Sequence, residues 1–285
     1  LESTLVVRTT GGVFEAALKR HFFDPFTRAT GTRIVPVATS YGEMITKTVA
    51  MHKANAVEWD IISPQIFELE NLSEYLLDLG DCSAMPNVAS QGVPGACVRW
   101  GVHYLTGGNV LTWNTETLRD KAPRSWADFW DVQKFPGERA LLGQPQSVLE
   151  AALMADGVPH EDVYKVLDTK EGQDRAFNKI RELKPHVALW WTGGSQPVQA
   201  IGSGEVVMAN GWNGRLQAGI TEGVPLKIVW NGAIDEVGYF MMVKGAPHKE
   251  EATELLRWIA KPESQAEFYK YVSYGPTMPG AWDFI

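Results

Sequence analysis

The 285-residue sequence lacks several features that would assign it to a common class of protein. No stretch approaches the roughly 18 consecutive apolar residues that a membrane-spanning helix needs. There is also no excess of basic residues, since 26 lysines and arginines stand against 34 aspartates and glutamates, for a net charge of −8. A protein whose main partner is nucleic acid would normally carry a basic face. The composition therefore argues against a membrane-spanning protein and against a nucleic-acid-binding protein.

Motifs for catalysis and for cofactor binding are missing as well. The six histidines are scattered, and none is paired at the spacing of a metal site. The segments 194–197 and 202–204 do not complete the nucleophile elbow of a serine hydrolase, and no glycine-rich dinucleotide or phosphate loop occurs. We therefore expect no catalytic residue, no metal and no cofactor. A two-lobe α/β enzyme with an unrecognised pair of carboxylates remains the alternative from another class.

The two cysteines, Cys82 and Cys97, allow two interpretations. The segment between them is rich in turn residues, and a disulfide that closes a loop of this length would contribute about 3 kcal/mol. Two separate thiols in a reducing compartment fit the composition equally well. No signal peptide is visible before the first apolar run, but an exported protein in its mature form would look the same.

Short apolar runs alternate with helical periods along the chain. Strands are predicted at 5–8, 33–37, 59–62, 110–113, 140–142, 187–190, 206–209 and 226–230, followed by an apolar run at 239–243. Helices are predicted at 41–53, 148–155, 173–183, 249–260 and 263–271. This alternation indicates an α/β protein with a parallel sheet flanked by helices.

In such sheets the ligand crevice is formed by the loops that follow the carboxyl ends of the strands. The first three strand ends therefore supply Thr10, Gly11, Tyr41, Ser63 and Gln65 as candidate ligand-binding residues.

Aromatic residues occur in two different settings. Trp126, Phe129 and Trp130 share one helical face, which predicts core packing. The segments 190–196, 211–215 and 230–236 instead combine tryptophan with small polar or charged residues at predicted strand ends. Aromatic rings can clasp alkyl chains or cations, and arginine can bind a carboxylate through two hydrogen bonds. The remaining candidate ligand-binding residues are Gln144, Trp191, Trp212, Asn213, Arg215, Asp235, Glu236 and Tyr239.

Seven segments form the most specific pattern in the chain, and they lie at 58–64, 110–114, 125–137, 152–159, 204–208, 212–215 and 244–250. In this order they resemble the extracellular solute-binding proteins of ABC importers, in the branch for spermidine and putrescine uptake. The resemblance extends over nearly the whole chain. It implies the type II periplasmic binding fold, in which two lobes, each a mostly parallel sheet flanked by helices, are joined by crossing hinge strands. Lobe one would comprise residues 1–104 plus 237–285, and lobe two residues 105–236.

The resemblance also implies how such a protein works. A small solute would be trapped between the lobes and delivered to the membrane permease of the importer, without a chemical step. The protein would be a periplasmic monomer from which a signal peptide has been removed. In that compartment a disulfide between Cys82 and Cys97 becomes the expected state.

The chain departs from the polyamine-binding pattern where cleft acids would neutralise the amines. The loop after the first strand of lobe two, residues 143–147, contains no acid, and Gly238 occupies the position where a further acid would fall. Trp212 is retained, and Arg215 follows it at a predicted helix start, where an anion is also favoured. These changes suit a ligand with a carboxylate at one end and an ammonium, near Asp235 or Glu236, at the other. We therefore expect a small amino acid or related carboxylate, such as a γ-amino acid, with a polyamine as the alternative; Arg215 could instead pair with a structural acid.

Overall fold

A computed structural model describes residues 3–65, 68–80, 82–119 and 121–285. Its strands are β1 (Thr4–Thr9), β2 (Arg33–Ala38), β3 (Ile61–Ile62), β4 (Cys97–Val98), β5 (Gly101–Asn114), β6 (Arg139–Leu142), β7 (Val187–Trp191), β8 (Met208–Trp212) and β9 (Leu226–Met242). Its α-helices are α1 (Gly12–Leu18), α2 (Asp24–Thr30), α3 (Tyr41–Lys53), α4 (Leu69–Leu72), α5 (Pro86–Gln91), α6 (Thr115–Leu118), α7 (Trp126–Trp130), α8 (Val148–Ala155), α9 (Val163–Leu167), α10 (Lys170–Leu183), α11 (Gln196–Gly202), α12 (Asn213–Thr221), α13 (Lys249–Ile259) and α14 (Pro262–Tyr269). A π-helical turn occurs at Lys19–Phe23, and 3-10 turns occur at Ser73–Tyr75, His160–Asp162, Lys184–His186 and Pro279–Phe284.

The chain folds into two compact units. Unit 1 consists of Leu1–Thr106 and Val237–Ile285, and unit 2 consists of Gly107–Glu236. The chain therefore passes from one unit to the other twice, once within β5 and once within β9. None of the helices in the described ranges is both long enough and apolar enough to span a bilayer.

Unit 1 contains a mixed sheet. β1 pairs in parallel with β2 over six residue pairs and in parallel with β3, whereas β3 pairs in antiparallel fashion with β9. The ends of β1, β2 and β3 therefore lie at one edge of the sheet. Phe22, Phe23, Phe26, Phe240 and Phe268 form much of its buried core.

Cys82 and Cys97 form a disulfide bond, with their Cα atoms 6.2 Å apart. This confirms the bridge that the family resemblance implies and excludes the alternative of two separate thiols. The bond connects β4 to the segment that precedes α5 in unit 1.

Unit 2 also contains a mixed sheet. β6 lies parallel to both β7 and β8, and β5 pairs in antiparallel fashion with β8. Trp126, Phe129 and Trp130 are buried in the core of this unit, so the core packing predicted for them is confirmed. The indole N–H of Trp126 donates to the carbonyl oxygen of Gly232 at 2.7 Å.

Two strands are longer than the sequence pattern predicts. The segment 230–236 was expected to form a loop, but it lies within the continuous strand β9, so this expectation is wrong. The turn signal at Gly232 is real, since its φ angle is 74°, and a Cβ atom there would lie 2.8 Å from Cδ1 of Trp126. The strand continues past this glycine because the indole N–H of Trp126 donates a hydrogen bond to the carbonyl oxygen of Gly232. Likewise β5 begins at Gly101, nine residues before the predicted strand at 110–113.

Candidate functional site

Unit 1 contains a buried arginine at the end of β1. Arg8 has no exposed surface, and its Nε donates to Oγ1 of Thr39 at 3.0 Å. Its Nη1 donates to the carbonyl oxygen of Ser63 at 3.1 Å, and its Nη2 donates to that of Thr39 at 2.6 Å. The guanidinium also lies 4.7 Å from the centre of the Tyr41 ring. Arg8 therefore fixes the segments that follow β2 and β3 against β1.

The five candidates from the first half of the sequence all follow these strand ends. Thr10 is exposed, and Gly11 has a φ angle of 71° immediately before α1. Tyr41 and Ser63 are half-buried and contact Arg8 as described above. The structure thus places these residues at one sheet edge, but the residue that organises the edge, Arg8, was not among the candidates. The signal was present, because Arg8 is the charged end of an otherwise apolar strand.

Gln65 lies beside a buried acid. Its backbone N–H donates to Oε2 of Glu68 at 2.8 Å, and both residues are buried. Burial raises the pKa of Glu68 to about 7, although the hydrogen bond from Gln65 and the charge of Arg8 lower it in part. Unit 1 therefore holds a carboxyl group that titrates near neutrality.

Tyr239 lies on β9 in unit 1 and is buried. Its ring centre is 4.9 Å from that of His103, whose Nε2 lies 2.8 Å from the carbonyl oxygen of Leu105. Burial raises the pKa of Tyr239.

The buried acid of unit 2 is Glu236, near the middle of β9. Oγ of Ser147 donates to its Oε1 at 3.0 Å, and Nε2 of Gln146 donates to its Oε2 at 3.4 Å. The pKa of Glu236 is raised to about 7, mainly by burial and in part by the negative charge of Glu150, while the hydrogen bond from Ser147 lowers it. The side chains of Trp212 and Asn109 lower this pKa in part, although Nε1 of Trp212 and Nδ2 of Asn109 form no hydrogen bond of ordinary geometry in the described structure. Asp235, the neighbouring candidate, is exposed instead.

Glu150 is a second buried acid in the same place. It lies in the first turn of α8 and is only 8% exposed. Its Oε1 accepts a long hydrogen bond of 3.4 Å from the Tyr164 hydroxyl, and burial raises its pKa. Sequence reasoning missed Glu150, although it stands one helical turn after Ser147 and therefore faces the same side.

Several oxygens around Glu236 are buried without a hydrogen-bond donor. Within the described part of the chain, Oε2 of Glu150, Oε1 of Gln146 and Oδ1 of Asn109 have no hydrogen-bond partner. A buried polar atom without a partner costs about 1–3 kcal/mol, so such atoms are uncommon unless something else binds them. We call this set the carboxylate cluster; its members are Asn109, Gln146, Ser147, Glu150, Trp212 and Glu236.

Trp212 connects the carboxylate cluster to Arg215. It is the last residue of β8, and its ring packs edge to face on Trp191 with centres 5.1 Å apart. Arg215 lies half-buried in the first turn of α12. A Cβ atom at Gly194 would lie 2.7 Å from the Trp212 ring and 3.3 Å from Cγ of Arg215, so both side chains pack over this glycine.

Three further candidates occupy different positions around the cluster. Trp191 is completely buried, and its indole N–H donates to Oδ1 of Asn210 at 2.9 Å, so the structure places it behind Trp212 in the core. Asn213 is buried, and its Oδ1 accepts a hydrogen bond of 2.8 Å from the backbone of Gly108. Gln144 is half-buried in the segment that leads to Ser147.

The fold is that of the type II periplasmic binding proteins. The PBP MotA from A. tumefaciens B6, solved in complex with glucopine, has a TM-score of 0.90 and 32% identity, with 98% of this chain and 85% of that chain covered. A solved GABA receptor has a TM-score of 0.86 and 28% identity, with coverage of 99% and 85%.

A family model for bacterial extracellular solute-binding proteins matches residues 21–283, and the chain belongs to this family. A gamma-aminobutyric acid-binding protein of Pseudomonas aeruginosa is 39% identical over 280 residues, which cover 97% of this chain and 78% of that protein. A spermidine/putrescine-binding periplasmic protein of Salmonella typhimurium is 23% identical, with coverage of 88% and 72%. The family resemblance drawn from the seven segments is thus confirmed.

Proposed function

We propose that this protein is the periplasmic solute-binding component of an ABC importer and that its solute is a small zwitterion of the γ-amino acid class. It would act as a monomer that passes the solute to a membrane permease and would carry out no chemical step. The ammonium of the solute would bind to the carboxylate cluster, and its carboxylate would bind to Arg215. Trp212 would pack against the carbon chain between them.

The observation that carries this proposal is the surplus of buried acceptors in the carboxylate cluster. The oxygens of Glu150, Gln146 and Asn109 that lack a donor lie around Glu236. An ammonium group offers three N–H donors and a positive charge, so it would supply hydrogen bonds to such oxygens and offset the burial of the acids.

Arg215 supports the assignment of the opposite end. Its side chain packs beside Trp212, and Trp212 faces Glu236. A guanidinium can form two parallel hydrogen bonds with a carboxylate, and the start of α12 adds the favourable end of the helix dipole. The candidates in unit 1, which are Thr10, Gly11, Tyr41, Ser63, Gln65 and Tyr239, remain proposed ligand contacts.

The relatives favour the same ligand class. The relative with 39% identity is named for γ-aminobutyric acid, whereas the polyamine-binding relative is 23% identical. Polyamine binding remains the second candidate, because Glu150 adds an acid that the sequence pattern did not reveal. Arg215 argues against it, since a guanidinium beside Trp212 would repel the second amine of a diamine.

Titration calorimetry with four ligands of similar length tests this proposal. γ-Aminobutyric acid carries both charged ends, butyrate lacks the ammonium, butylamine lacks the carboxylate, and putrescine replaces the carboxylate with a second ammonium. We expect γ-aminobutyric acid to bind most tightly, and each of the other three to lose affinity. Tighter binding of putrescine than of γ-aminobutyric acid would replace the proposal with the polyamine candidate.

A matched pair of tryptophan variants tests where the ligand lies. Trp212→Ala should weaken γ-aminobutyric acid, because it removes the surface beside the carboxylate cluster. Trp230→Ala should not, since Trp230 is 59% exposed on β9 and is not a member of the cluster. Equal losses in both variants would contradict the assignment of Trp212.

A further inference from the structure

We propose that the carboxylate cluster of the ligand-free protein holds a proton on Glu150 or Glu236 and that the ammonium of the ligand replaces it, so that ligand binding releases a proton. This inference rests on the proposed function, because it requires an ammonium to enter the cluster. It adds a dependence of binding on pH that neither the family nor its named relatives imply.

The first argument is the count of donors and acceptors. In the described ranges, three buried acceptors of the cluster have no donor, namely Oε2 of Glu150, Oε1 of Gln146 and Oδ1 of Asn109. They outnumber the two buried donors that have no acceptor, Nδ2 of Asn109 and Nε1 of Trp212. No rotation of these side chains changes the two carboxyl groups into donors while both are ionised. One added proton creates an O–H donor, which removes one of the surplus acceptors and gives another a partner.

The second argument is the electrostatics of two buried acids. Glu150 and Glu236 are 8% and 6% exposed, and the negative charge of Glu150 raises the pKa of Glu236. Like charges at a buried site oppose ionisation of both groups at once. Burial accordingly raises the pKa of both acids, that of Glu236 to about 7.

The groups that face the two acids do not remove this electrostatic opposition to ionising both of them at once. Tyr164 on α9 donates to Glu150, and the two acids raise its pKa. Asp235 adds a further negative charge next to Glu236 in the chain, and Ser147, Gln146, Asn109 and Trp212 are neutral. Among the described residues, Arg215 brings a cationic side chain to the side of Trp212, where both side chains pack over Gly194.

Proton and ammonium would therefore compete for the same oxygens. When the ligand binds, the carboxyl O–H bond breaks, the proton passes to water or buffer, and the ligand N–H groups donate to the carboxylate oxygens. No covalent bond to the ligand forms, and in each molecule that is protonated before binding one ammonium group takes the place of one proton, so the charge within the cluster is unchanged.

Calorimetry of the unmodified protein with γ-aminobutyric acid tests the exchange directly. The titration is run at pH 7 in phosphate and in Tris, whose ionisation enthalpies differ, and the dependence of the observed enthalpy on the buffer gives the number of protons released. We expect about half a proton at pH 7, because a group with a pKa of about 7 is half protonated there. The dissociation constant should rise as pH falls below 7, by up to about tenfold per pH unit.

Two variants locate the proton. Glu150→Gln keeps the size of the side chain but removes one charge, so less proton should be released at pH 7 because the pKa of Glu236 falls. Glu222→Gln removes an equal charge from an exposed residue of the same unit and should leave the release unchanged. A loss of affinity in Glu150→Gln with unchanged proton release would assign Glu150 a merely structural role and would contradict the inference.

The remaining outcomes separate the two proposals. Tight binding of γ-aminobutyric acid with the same enthalpy in both buffers would overturn the proton exchange and leave the ammonium site intact. If none of γ-aminobutyric acid, butylamine and putrescine binds, the proposed function and the exchange both fail.

Discussion

Unit 1 and unit 2 each bury strong charges beside the ends of their strands, but the two sites differ in how their polar atoms are satisfied. In unit 1, all three nitrogen atoms of the Arg8 guanidinium donate to Thr39 or Ser63. In unit 2, buried oxygen atoms of three side chains in the carboxylate cluster have no donor within the described residues. Removing these charged groups from water costs free energy at both sites. In unit 1, hydrogen bonds within the protein offset this cost, whereas in the carboxylate cluster they offset it only in part.

We interpret this difference as that between a charge with a structural role and charges whose proposed partner is the ligand. Burial alone does not make this distinction, because Arg8 is more deeply buried than either acid of the cluster. Arg139 in unit 2 behaves like Arg8, since it is fully buried and donates to the carbonyl oxygens of Phe129, Phe135 and Gly137. Arg8 and Arg139 thus stabilise the loops whose carbonyl groups they bind, whereas the cluster that contains the two acids retains oxygen atoms without a hydrogen-bond donor.

The largest expected effect is on the stability of unit 1. Arg8→Met removes the guanidinium that fixes Thr39 and Ser63 and leaves the buried Glu68 without its nearby positive charge. We expect the free energy of unfolding to fall by about 3–5 kcal/mol, as when one partner of a buried charge network is removed. Urea unfolding measures this change, with the exposed Arg33→Met on β2 as the matched control. Equal stability of the two variants would show that Arg8 is not a structural clamp.

The opposite pattern is expected in unit 2. Arg215→Ala should weaken γ-aminobutyric acid by about 2–5 kcal/mol, or roughly 30- to 4000-fold in dissociation constant, because the ligand carboxylate would remain desolvated without its partner. The free energy of unfolding of the ligand-free protein should fall by less than in Arg8→Met, because Arg215 is only half-buried whereas Arg8 is fully buried. Titration calorimetry and urea unfolding measure the two quantities.

Arg181→Ala, which alters an exposed arginine on α10 of the same unit, is the control for this comparison. If Arg215→Ala lowers stability and leaves affinity unchanged, Arg215 is a structural residue like Arg8, and the proposed contrast between the units fails.

Local patterns predicted much of this fold. The helices at 41–53 and 148–155 begin and end where the sequence pattern places them, because both have regular apolar spacing. At the start of the first, Ser40 and Glu43 form a reciprocal capping box. The strand β9 was not predicted in full, because the contact of Trp126 with Gly232 is a tertiary interaction that overrides a local turn signal.

The candidate site was predictable only where it follows strand ends. Glu236 and Trp212 were found by their position beside predicted strands, and the structure places both in the carboxylate cluster. Glu150 and Asn109 were missed because nothing in their local sequence reveals burial; it results from the packing of α8 and β5 around β9. For Arg8 the sequence did carry a signal, a charge in an apolar strand, but its hydrogen-bond partners could not be predicted because they lie 31 and 55 residues away in the chain.

The smallest expected effect concerns the acid of unit 1 and its dependence on pH. Burial raises the pKa of Glu68 from 4.5 to about 7 in the folded protein, whereas the unfolded chain keeps the ordinary value. An acid with a raised folded pKa costs nothing while it is protonated in both states, so stability is highest below pH 4.5, falls as pH rises from 4.5 to about 7, and levels off above that. Glu68→Gln removes this loss. Its free energy of unfolding, relative to the parent, should increase by about 2–3 kcal/mol between pH 5 and pH 8.

Urea unfolding at the two pH values measures the change, and Glu70→Gln, at an exposed position of the same helix, should show no such increase. A difference between Glu68→Gln and the parent that is constant with pH would mean that Arg8 keeps Glu68 ionised, and that unit 1 contains a fully compensated charge pair.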